Sequence, residues 1–236
     1  MARLGGLFQQ GFRRRFGGGA DVARAGVLTR RAREMAAGVE QLAGSADAQL
    51  AANSRWPLHT DWAWRPEAWS GQLVVDRGGA VSNGSPLGSD AKFFLDCRQA
   101  EIAVRQIDGK PDAVAPQAIA IEVSRFEGSF FSLAAELPGA ALNGLSRRHL
   151  LRIGLDLEAK RHIAVYARLN LRQGPNVLQL VRRFEGEAHV DLDLAVSDLD
   201  EELLSDGWVD LIFEAPLATW MVLADVTVSR RPRAAL

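Results

Sequence analysis

One cysteine, Cys97, stands in 236 residues, so no disulfide can close within the chain and a disulfide scaffold is excluded. An excess of either charge is missing too: 28 Lys+Arg face 29 Asp+Glu. So are long hydrophobic runs. The longest uncharged apolar run, Ala215 to Ala224, has ten residues, well short of the roughly 18 that a spanning helix needs. Familiar catalytic patterns are absent from the sequence: no Walker A loop, no G-x-G-x-x-G, no Cys-x-x-Cys and no H-E-x-x-H. Gly84-Ser85-Pro86-Leu87-Gly88 fails as a nucleophile elbow because its Ser is second, not third. What is present is 47% hydrophobic and 24% charged. That apolar mass offsets chain entropy and excludes disorder as the main state.

Charge is unevenly placed. Residues 1–60 hold nine Arg against four acids, a net of +5, and residues 61–236 hold 19 basic and 25 acidic groups, a net of −6. A basic arm therefore precedes a mildly acidic body. In residues 1–20, Phe8, Phe12 and Phe16 recur every four positions, with Arg13, Arg14 and Arg15 between them. A helix here carries an aromatic stripe beside a basic face. That combination suits an anionic membrane surface or a protein partner more than nucleic acid; a solvated tail is the plain reading. Residues 21–54 read as a helical segment, with Leu28, Ala32, Met35, Val39, Leu42 and Ala46 on one seam. The seam packs on the main domain or on a second copy. No signal-peptide pattern opens the sequence, so a cytoplasmic location is expected.

Beyond residue 70 the helical period gives way to alternation. Glu101–Ile107, Ala118–Val123, Ser129–Leu137, Leu151–Leu157, Ile163–Leu171, Val177–Phe184, Val190–Val196, Trp208–Phe213 and Trp220–Val228 all read as strands. No helical segment separates them. The expectation is a mainly β fold: one antiparallel, jelly-roll-like β-sandwich over residues 55–236, preceded by an N-terminal helical arm.

Three segments suggest chemistry. Trp62, Trp64 and Trp69 lie close together around Arg65, with Trp62 and Trp64 on one face of an extended chain. Exposed, they would form a ligand-binding platform for a glycan; buried, they would seal the junction with the arm. His189, Asp191 and Asp193 project from one face of a strand and could begin a metal site, although a solvated polar face is the plain reading. Ser197 to Gly207 offers hard oxygen donors to Ca²⁺ but lacks the EF-hand offsets. A short helix N-capped by Ser197 or Asp198 is the other reading.

Five stretches together resemble an uncharacterised alphaproteobacterial family, a domain of unknown function. They are Thr60 to Glu67, Arg147 to Leu150, Ala167 to Asn176, Trp208 to Glu214 and Ser229 to Ala234. The resemblance covers roughly residues 55–236 and implies no activity. The closing segment Leu223-Ala224-Asp225-Val226-Thr227-Val228 is similar to the last strand of galactose-binding-like jelly rolls. That likeness implies a binding role and places Asp225 near a structural Ca²⁺. The leading expectation is a non-enzymatic binding or interaction module, peripheral to the inner membrane through its arm, with no cofactor other than Ca²⁺. The alternatives are a carbohydrate-binding jelly roll using the Trp platform, and a metal-dependent enzyme.

Overall fold

A computed structural model of the protein describes residues 56–73, 78–97, 99–215 and 220–233. The arm residues Phe8, Phe12, Arg13, Arg14, Arg15 and Phe16, and the segment 21–54 expected to be helical, lie outside the described residues.

The chain enters through β1 (Trp62–Trp64) and one helical turn, α1 (Glu67–Ser70). Four strands lead on: β2 (Gly78–Ala80), β3 (Pro86–Leu87), β4 (Ala91–Leu95) and β5 (Glu101–Asp108). Next come β6 (Gln117–Arg125), β7 (Phe130–Glu136), the short helix α2 (Gly139–Leu142) and β8 (His149–Ala159). The chain closes with β9 (Val165–Gln173), β10 (Asn176–Arg183), β11 (His189–Asp193), β12 (Leu204–Glu214) and β13 (Trp220–Pro232). All pairings among them are antiparallel. One sheet runs β11-β8-β13-β6-β5-β2, with β1 also on β13, and the other runs β10-β9-β12-β7-β4-β3. The fold is the expected antiparallel β-sandwich.

Alternation decides which side chains fill the middle. Leu151, Ile153 and Leu155 of β8 are buried, as are Ala167, Leu169 and Leu171 of β9 and Val209, Leu211 and Phe213 of β12. Residues between them point outward, because successive Cβ atoms take opposite faces. Phe131 stacks on Phe93 at 5.3 Å and touches Phe213 at 5.9 Å, tying β7 to the core sides of β4 and β12. Trp69 is wholly buried, and its indole N–H donates to the Leu223 carbonyl at 2.9 Å. The Gln106 amide donates to the carbonyls of Ala68 and Gly71 and accepts from the Leu73 N–H. It thereby satisfies the end of α1, which lies against the core.

The helix expected from Ser197 or Asp198 does not form. A single 3-10 turn, Leu194–Val196, precedes it instead, with the Asp193 carboxylate accepting from the Ala195 N–H at 2.9 Å. Residues 198–203 then run as irregular chain into β12.

Candidate ligand-binding groove

The Trp-rich segment lies at the sandwich, but its rings turn inward. Trp62 sits beside Arg230 and Trp64 beside Val228 in the β1–β13 register. Val228 belongs to the core, and both indoles pack against that core, half-buried. Alternation placed the two on one face correctly; that face is the core side. With Trp69 fully enclosed, this segment offers packing rather than an open platform. Arg65 is committed as well. Its guanidinium donates to both carboxylate oxygens of Asp225, at 2.8 and 2.9 Å.

That pair bears on the Ca²⁺ implied at Asp225. Both carboxylate oxygens already face a cation, so the site does not fit a metal ion. The strand His189–Asp193 is likewise occupied. Asp191 accepts from Arg152 at 2.7 and 2.8 Å and from Arg231 at 3.1 Å. Hydrogen bonding from Arg152 holds its carboxyl below the usual range. Asp193 caps the 3-10 turn and pairs with Arg233 at 3.2 Å, while His189 lies 3.9 Å from Glu187. Among the described residues, no group of three or more His, Cys, Asp or Glu side chains is arranged to hold a metal ion.

An open groove lies on the other sheet. The outer sides of β4, β7, β9 and β12 line a groove of about 770 Å³. Its floor is built from the outward set of each strand: Ser132 and Ala134 on β7, Arg168 and Arg172 on β9, Trp208 and Asp210 on β12. Cross-strand register sets the chemistry. Arg168 lies directly opposite Asp210, and Arg172 opposite Asp206. Arg168 Nε donates to Asp210 Oδ2 at 2.8 Å, and Asn170 donates to the same oxygen at 2.8 Å. Gln179 of β10 donates to Asn170 Oδ1 at 2.8 Å, which extends the chain of hydrogen bonds to the sheet edge. Asp210 and Asn170 are buried beneath this network, so each depends on these partners.

Six ionisable side chains line the groove, and they form three pairs: Arg168–Asp210 at 2.8 Å, Lys92–Glu136 at 3.2 Å and Arg172–Asp206 at 3.5 Å. Trp208 is half-buried between them, with the Arg172 guanidinium 5.9 Å from its ring centroid. Phe94 and Phe130 stand exposed toward the far end. The arrangement therefore offers aromatic surface, donors and acceptors, and no net charge.

The sequence gives the outward rows of β9 and β12 as polar sides of strands. It does not bring them together, because the pairs join positions about forty residues apart. The available signal is Trp208, a large aromatic in phase with Asp206 and Asp210 and out of phase with the core positions Val209 and Leu211.

Residues 14–236 match one protein family across nearly the whole chain. The chain belongs to DUF6478, a family of unknown function. The match reaches forward from the sandwich through residues 21–54 and leaves Phe8, Phe12 and Arg13 outside. No curated protein matches the sequence. Among solved structures the chain is similar to a family 11 carbohydrate-binding module from Clostridium thermocellum, in complex with a β-1,3-1,4-mixed-linked tetrasaccharide. Identity there is 8%, coverage is 64% of this chain and 94% of that one, and the TM-score is 0.38. A module determined with β-1,4-galactotriose is 14% identical over 64% of this chain and 91% of its own, with a TM-score of 0.33. The enzymatically active domain of bacteriophage CBA120 tailspike protein 4 is 11% identical over 63% of this chain, with a TM-score of 0.40. The chain spans only 21% of that tailspike domain's length.

Proposed function

We propose that the protein is a non-catalytic binding module that holds a neutral, hydroxyl-rich ligand, a glycan, in the groove on the six-stranded sheet. The observation that carries this reading is the pairing of all six ionisable groups of the groove with one another around Trp208. An anionic ligand would meet a carboxylate beside every cation, and a cationic ligand the reverse. Sugar hydroxyls both donate and accept, so they can bridge a guanidinium and its carboxylate without breaking the pair. The C–H face of a pyranose ring meanwhile covers an indole, removing apolar surface from water. A few fixed polar groups around apolar surface is the usual make-up of a small-ligand site.

The test is native affinity electrophoresis of the full chain in gels containing a neutral β-glucan, galactan or mannan, with polygalacturonate as the anionic control. One neutral polymer is expected to retard the protein and polygalacturonate is not. Trp208→Ala should abolish the retardation while leaving the melting transition in place. Retardation only by polygalacturonate, no retardation by any polymer, or full retention in Trp208→Ala would refute the reading.

A further inference from the structure

Five strands of the sandwich have a neighbour on one side only among the described residues, and four of them are protected. β1 and β2 have three residues each, and β3 has two, one of them Pro86. β11 has five, two of them carboxylates held by Arg152, Arg231 and Arg233. Short edges, proline and charge are the ordinary means by which a sheet avoids joining another. The fifth edge, β10, is eight residues long and has none of them along its middle. It contains no proline, lysine or acid, its pairing with β9 runs without a bulge, and its only charges are Arg182 and Arg183 at the end. Val177 and Val181 are 37% and 46% exposed on it.

The direction of the free backbone groups follows from one hydrogen bond. Phe184 N–H donates to the Val165 carbonyl on β9 at 2.9 Å. Alternate residues of a strand turn their N–H and C=O to opposite neighbours. Leu178, Leu180 and Arg182 therefore face β9, and Val177, Gln179 and Val181 face the open side. The sequence at this edge, Val177-Leu178-Gln179-Leu180-Val181, reads identically in both directions.

We propose that β10 pairs antiparallel with β10 of a second copy, about a two-fold axis through Gln179. In this register Gln179 lies opposite the partner's Gln179, Val177 opposite the partner's Val181 and Leu178 opposite the partner's Leu180. Every residue that turns its backbone groups to the open side meets another that does the same, and the Arg182 guanidinium, which donates to the Val181 carbonyl at 3.2 Å in the single copy, gives up that bond. Outward side chains meet outward ones, and the core-packed Leu178 and Leu180 meet their own kind. A slip of one residue would break both matches at once. No charge opposes a like charge, because Arg182 falls opposite the partner's Asn176. The contact is isologous and closes at two copies.

Sedimentation equilibrium of the full chain tests this. The wild type is expected at twice its 25.7 kDa mass. Val177→Lys/Val181→Lys sets lysine against lysine across the axis and should sediment as one chain with an unchanged circular dichroism spectrum. Val177→Glu/Val181→Glu should do the same, and mixing the two variants should restore the double mass. A wild type that stays at single mass at every loading would overturn the proposal. So would a lysine variant that stays double, which would place the interface elsewhere, or a mixture that stays single.

Discussion

Asp225 shows how one side chain decides between two readings of a strand. Its oxygens accept from Arg65 in a side-on pair, with the side chains 7% and 21% exposed. Removing one partner strands the other at low exposure, which costs about 3 kcal/mol or more for a well-buried pair. Arg65→Ala should therefore lower the urea midpoint at unchanged slope, and added Ca²⁺ should not restore it; full recovery with Ca²⁺ would reopen the metal reading. Asp90 argues the opposite sign. Burial raises its carboxyl, Oδ1 has no partner, and Oδ2 accepts from the Glu67 N–H at the start of α1. Because the folded-state value is the higher one, the charged form opposes folding at neutral pH. That penalty fades as pH falls through the raised value toward the unfolded one. Asp90→Asn keeps the acceptor and loses the charge. It should be more stable than the wild type near pH 7, with the gain shrinking on acidification; a pH-independent difference would contradict this. Nothing in the sequence distinguishes Asp90 from its neighbours, because its environment is made by α1 and β7. The tryptophans show the matching limit: a period of two says that Trp62 and Trp64 share a face, but only the β1–β13 register says which.

Most elements were legible from alternation, and β5 to β13 lie where the periodicity predicts them, except that the strand expected to reach Val196 ends at Asp193 and continues as the 3-10 turn. β4 was not, because Phe93 and Phe94 are adjacent and equally apolar, one packed in the core and the other exposed on the groove side. β2 and β3 are too short to show a period. The expected helix after Val196 failed for a local reason. Ser197 closes back on the 3-10 turn, its hydroxyl donating to the Leu194 carbonyl at 2.7 Å, away from the residues that follow. The connection between β5 and β6 starts at Asp108-Gly109, and the structure gives the reason for its glycine. A Cβ at Gly109 would lie 2.3 Å from the Ala115 carbonyl oxygen. That obstacle is backbone and cannot swing aside. Gly109→Ala should cost about 1–3 kcal/mol, read as a lower melting temperature. A neutral result would mean that the 109–116 loop yields easily.

At the scale of the whole molecule the two proposals make a joint demand. Edge-to-edge pairing of β10 carries the six-stranded sheet of one copy into that of the next. The two-fold axis then stands across the joined sheet, so both grooves open on the same side. A polymer with repeated sites can engage both, and the second engagement is intramolecular. A free oligosaccharide reaches only one groove and feels no such gain. The expected pattern is therefore a split. The Val177→Lys/Val181→Lys variant should bind a short neutral oligosaccharide with the wild-type constant in calorimetry. On an immobilised polymer of the same sugar it should wash off about a hundredfold faster, the low end of gains from linking two weak sites. Equal loss in both formats would mean that the lysines damage the groove itself, through Gln179 and its bond to Asn170. Equal retention in both would mean that the paired copies point their grooves apart, which the shared sheet does not allow.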